Sequence, residues 1–154
     1  MKAGKSALML LGAVVLSVLA GSMLTYYIRQ PDLLNFSCSA HLNQVNSEDD
    51  FVLNMSFILT LQPGGHGLAV MDGDVAHKKH GYKLRRDLEF TYEPYSNDLY
   101  KLKGLKVIKG ARDTVPSDLL AMDYKFLYIV KLRDIDNAIL VGAVTFPAFM
   151  CLTD

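Results

Sequence analysis

Few side chains in this 154-residue sequence are of a type and at a spacing that does chemistry. His77 and His80 come nearest to a metal site, because imidazole nitrogen is a common ligand. They flank Lys78 and Lys79 in a stretch that ends at Gly81. A metal needs convergent ligands with hydrogen-bonded support behind them, so the stretch reads as an exposed basic turn. Asp72 and Asp74 supply two carboxylates, too few for a calcium loop. Asp134 and Asp136 are ordinary turn residues, and His41 falls on the wet face of its strand. The chain has no G-x-S-x-G elbow, no P-loop and no G-x-G-x-x-G after a strand. No catalytic residue, metal ligand or cofactor is expected, and the chain reads as a non-enzyme.

Two features remain. Cys38 and Cys151 stand near opposite ends of the region after Gln30. In an oxidising compartment they form a natural disulfide, which stabilises by on the order of 4–5 kcal/mol for a loop near 100 residues. The alternative is two buried thiols acting as small apolar residues. Arg86 is the other feature, a charge on the apolar face of its strand. It pairs internally, faces a cavity that holds an anionic or amphipathic ligand, or guards a strand edge against aggregation. An eight-strand barrel of the lipocalin kind can hold one small ligand. In that case Phe57, Phe90, Tyr92, Phe126 and Tyr128 line the pocket with Arg86, or else fill it as core.

The elements that carry these residues are strands. Leu34, Phe36, Cys38, Ala40 and Leu42 alternate with polar residues, and Phe51, Leu53, Met55, Phe57, Leu59 and Leu61 do the same after the polar turn 46–50. Strict alternation marks a strand with one buried face, so these two form a long hairpin. Strands follow at 68–76, with Asp72-Gly73 a candidate bend or bulge, at 82–92, and at 99–109 with an interruption at Gly104. Segment 110–123 differs: Asp113 or Thr114 can cap, Pro116 suits a first turn, and 117–122 fits one or two helical turns. Strands resume at 125–133, with Phe126 and Tyr128 on one face, and at 138–146, apolar on both faces; Pro147 is read as the stop before a tail. Seven or eight strands joined by short turns predict a mainly β domain, an antiparallel barrel or sandwich with one short helix.

Ahead of this domain lies Ser6–Ile28, which carries no charged residue. About 20 apolar residues in a helix cross a bilayer, so residues 1–30 read as a single-pass signal-anchor and residues 31–154 as the domain it carries. Lys2 and Lys5 place the N-terminus in the cytoplasm of an inner membrane and the domain in the periplasm. A signal peptide cut after Ala20 is the rival reading, though the apolar run continues past that point without a polar region. Ala13, Ser17, Gly21 and Thr25 recur every four residues, a small-residue face on which a second membrane helix can pack.

Charge bounds the partners. The chain has 16 basic and 16 acidic residues, and Lys2, Lys5 and Arg29 belong to the anchor flanks. The domain is thus mildly acidic, which argues against nucleic acid.

The lysine-flanked anchor, the hairpin holding Cys38, and the ending Val144-Thr145-Phe146-Pro147-Ala148-Phe149-Met150-Cys151 together resemble the FidL-like membrane proteins of enteric bacteria. The layout is also similar to that of ToxS-like companions of membrane-anchored winged-helix regulators. No catalytic residues come with the resemblance. It implies a non-enzymatic accessory whose periplasmic domain stabilises or modulates a membrane-bound regulator of the ToxR or CadC type. The alternative is a stand-alone periplasmic carrier or sensor of a lipophilic anion such as a bile acid.

Overall fold

The computed structural model describes residues 15–23, 33–120, 122–132, 134–143 and 146–153. Two compact units are distinguished, Met1–Asp32 and Leu33–Asp154. In the first, residues 15–23 are helical and exposed, and the Ser22 hydroxyl donates to the Leu19 carbonyl at 2.9 Å. Among the described residues no helix is long and apolar enough to cross a membrane. The rest of the expected span lies outside the described residues, and so do Ala13 and Thr25 of its small-residue face; Ser17 and Gly21 are on the helix.

The second unit is a closed antiparallel barrel of eight strands in sequence order. They are β1 (Phe36–Asn46), β2 (Phe51–Leu61), β3 (His66–His77), β4 (His80–Ser96), β5 (Leu99–Lys109), β6 (Phe126–Lys131), β7 (Ala138–Ala143) and β8 (Phe146–Thr153). In β2 the inward set is buried from Leu53 to Leu61 at every second position, as alternation requires. In β4 the inward set is Leu84, Arg86, Leu88, Phe90 and Tyr92. All of these side chains except Arg86, with Cys38, Met71, Ile129, Val141 and Cys151, form one core.

Three expectations need correcting. Asp72-Gly73 does not bend β3, which pairs with both neighbours without a break from Gly67 to His77. Gly73 is there for room: a Cβ would come 2.2 Å from the Asn54 carbonyl oxygen and 2.6 Å from the Met55 Cα. Segment 117–120 runs as a turn and bend, with one Leu119 amide to Pro116 carbonyl bond of 3.3 Å. Pro147 does not end the sheet. It lies in β8, at the register shift against Val141/Ala143, where a residue without an N–H breaks no ladder bond. The tail is therefore the strand that closes the barrel.

The interruption at Gly104 is a bulge. Its φ is +61°, and the β4–β5 register shifts between Glu89 and Thr91, a conformation glycine adopts without steric cost.

Candidate functional site

Arg86 is buried on the inward face of β4 and meets Asp113 in two bonds, Nε to Oδ2 at 3.0 Å and Nη2 to Oδ1 at 3.3 Å. Its remaining donors reach the carbonyls of Val115 (2.8 Å) and Leu120 (3.2 Å). Asp113 also accepts the amides of Arg85 and Val115. Burial pushes its carboxyl up. Bonds from the Arg86 side chain and the Arg85 and Val115 amides, with the Arg86 charge, outweigh that and hold it below the ordinary 3.8. A charge pair out of water persists when its lone pairs and protons are satisfied this fully. Arg86 therefore clamps the connection between β5 and β6 onto the barrel. Asp113, read as a cap, is the partner that spacing did not reveal, because it sits in an irregular segment 27 residues on.

The other expected pocket residues separate. Phe57 and Phe90 line an apolar cavity of ≈ 40 Å³, with Met71, Leu102, Leu127 and Phe149 among the rest of its wall. Arg86 is not part of that wall. The Tyr92 hydroxyl lies 2.7 Å from the Leu34 carbonyl and 2.9 Å from that of Gln62, so it ties the chain entering β1 to the β2–β3 turn. Burial raises its pKa, and Tyr100 adds to the rise against the Leu34 bond.

Phe126 and Tyr128 do not line the cavity. Ile129 and Leu127 take the inward positions of β6, so both rings belong to the opposite face. Tyr128 lies over Gly142, where a Cβ would meet its ring at 2.4 Å, and Phe126 meets Tyr95 edge-on at 5.1 Å. With β6 partly buried on both faces, no alternation in its sequence shows which set points in.

Cys38 and Cys151 form a disulfide that spans 113 positions. It joins β1 to β8, where, among the described residues, Cys38 with Thr153 and Ser39 with Leu152 pair along the backbone. His77 and His80 face each other across the β3–β4 turn, and Asp72 and Asp74 pair with Arg85 and Lys83. Among the described residues no three acidic, histidine or cysteine side chains gather as a metal site would require.

The family profile of the FidL-like putative membrane protein matches residues 73–151, just over half of the chain. The chain belongs to the FidL-like family. No curated protein matches it. The matched stretch of this FidL-like chain runs from β3 to Cys151 and so takes in both Arg86 and Asp113.

One surface distinguishes this FidL-like barrel. Strands β8, β1 and β2 are neighbours, of eight, eleven and eleven residues, and contain no Asp, Glu, Lys or Arg. Their outward positions include Ile58, Met150 and Leu152, exposed by 45%, 52% and 50%. Leu152 sits beside Ser39, Ser39 beside Ile58, and Ile58 beside Val70, so the apolar groups lie in one row with only a small hydroxyl between them. Alternation alone did not show this wall, because it needs the strand order that brings the C-terminal strand next to the first.

Proposed function

We propose that this protein is a non-catalytic accessory that docks a membrane-bound partner, of the ToxR or CadC regulator type, on the outer wall of β8, β1 and β2. The observation that carries this reading is the absence of charge from three adjacent strands. Depletion of charge, more than bulk hydrophobicity, marks the centre of a protein interface.

The size of the wall fits a partner held on the same membrane. Three strands at about 4.8 Å spacing and eight to eleven residues at about 3.3 Å cover roughly 400–500 Å². A stand-alone interface of ordinary strength buries about 800 Å² per partner. Tethering raises effective concentration, which lets a smaller contact suffice. The anchor supplies the tether in this account, with the cytoplasmic N-terminus and periplasmic barrel expected from Lys2 and Lys5.

The carrier reading finds less support. An apolar cavity with ≈ 40 Å³ of room is far below the several hundred Å³ of a site for a bile-acid-sized molecule. The guanidinium expected to meet an anion is already engaged by Asp113.

Recovery of a co-expressed winged-helix regulator from detergent-solubilised membranes tests the proposal. Ile58→Lys should reduce the recovered complex several-fold, while Lys106→Glu on the far wall should leave it unchanged. Equal effects of both substitutions rule the wall out as the docking surface. Gly21→Leu tests the anchor face in the same assay, since a Cβ there meets nothing within 4 Å; an unaltered complex removes the anchor helix from the contact.

A further inference from the structure

Three short strands close this barrel, and they are joined sparsely to the five long ones. Among the described residues β5 meets β6 in three residue pairs and β8 meets β1 in two. Eleven pairs join β1 to β2, eleven β2 to β3, and twelve β3 to β4. The cavity lies along the same junction: Leu127, Val141 and Phe149 of the short strands line it opposite Phe57, Phe90 and Leu102 of the long ones. The disulfide crosses the shorter of the two seams, with Cys151 one residue beyond the last backbone pair, Ser39 with Leu152.

We propose that β6–β8 is a flap latched by Cys38–Cys151. Reduction of the bond by a dithiol releases β8 from β1 and opens the apolar interior, while β2–β4 stay folded. One thiolate of the dithiol attacks a sulfur of the bond and the S–S link breaks. Closure of the dithiol into its own disulfide then expels that cysteine. Two electrons and two protons pass to Cys38 and Cys151, and the dithiol leaves oxidised. Both sulfurs are buried in the closed barrel, so attack follows fraying of the seam, and a ladder of two pairs belongs to the low-stability end of a fold. The inference goes beyond the docking reading and does not depend on it. Because β8 is part of the uncharged wall, opening the flap also dismantles that wall.

The test is hydrogen exchange followed by mass spectrometry on the full-length chain in detergent micelles, with and without dithiothreitol, alkylation confirming reduction of both cysteines. Exchange in β1 and β6–β8 should rise by roughly a hundredfold to a thousandfold, the scale set by loop entropy, and β2–β4 should stay protected. Anilinonaphthalene sulfonate fluorescence should rise in step as the interior opens. The proposal is overturned if all strands lose protection together, if none does after verified reduction, or if the bond resists reduction until the chain unfolds. Cys38→Ser/Cys151→Ser without reductant must reproduce the selective pattern, and a protected flap in that variant also overturns it.

Discussion

The barrel has two unlike walls. On its outer face β4 carries Lys83, Arg85, Asp87, Glu89 and Glu93, and β5 carries Lys101, Lys103, Lys106 and Lys109. The exposed ion pairs among the described residues all lie on β3–β5, Lys103 with Glu93 at 2.6 Å and Lys106 with Glu89 at 3.7 Å among them. The opposite wall of β8, β1 and β2 has no such residue. Both walls are made of alternating strands around the same core, so folding does not require the difference. Solubility asks for charge somewhere on the surface, and the first wall supplies it. Keeping charge off the second matters when that wall loses its water, because desolvating an unpaired charge is costly. The charge-free side is also where the backbone ladder is shortest and a covalent bond spans it.

The largest change to this contrast is to remove the covalent link. Cys38→Ser/Cys151→Ser should lower the unfolding free energy by on the order of 4–5 kcal/mol, for a bond spanning 113 positions, read as a fall in urea midpoint. A loss below about 1 kcal/mol shows that the two-pair seam holds by itself and that ladder length is a poor guide to strength here.

Arg86→Ala should come next, at about 3–5 kcal/mol, because it strands a buried carboxylate. Arg86→Met with Asp113→Leu should recover much of that loss, since apolar residues of similar volume commonly replace a buried pair at little cost. The pair also predicts acid sensitivity. Asp113 titrates below its ordinary 3.8 when folded, so the unfolded chain binds the proton first as pH falls. Its contribution is complete above that value and disappears as pH drops through the depressed native one. Asp113→Asn should flatten stability against pH below about 4, as read by urea titrations between pH 7 and pH 3. An unchanged slope assigns the acid response to other carboxylates.

Tyr92→Phe is a smaller step. It removes the hydroxyl that ties Leu34 to Gln62 and should cost about 1 kcal/mol, with exchange rising first at the β2–β3 turn.

These sites differ in how far the sequence announced them. The inward row of β2 was readable at each position because period-two alternation has one solution when a single face is buried. Arg86 was readable as a charge on that kind of face. Asp113 was not, because alternation says which way a side chain points and not which loop comes to cover it. Phe126 and Tyr128 were assigned to the wrong side for a related reason: a strand apolar on both faces leaves its phase undetermined. Pro147 looked like a stop, since proline breaks most strands, and became part of β8 by falling at a bulge. The uncharged wall was written in composition all along. Only the strand order, which joins residues 146–153 to residues 36–61, turned three separate stretches into one surface.

The smallest effects decide between reasons for that surface. Lys103→Met breaks the exposed pair with Glu93 and should change stability by no more than about 0.5 kcal/mol, since such pairs gain little in water. If charges on the first wall contribute so little to folding, their absence from the second is not a folding requirement either. Ile58→Lys should then also fall within about 0.5 kcal/mol of the parent in urea unfolding of the full-length chain, because Ile58 is already 45% exposed. A loss of several kcal/mol would mean that the wall is charge-free in order to fold, and the docking reading would lose the observation it stands on. A stable Ile58→Lys barrel that no longer holds the regulator separates the two causes, because the substitution then acts only where a second surface meets the first.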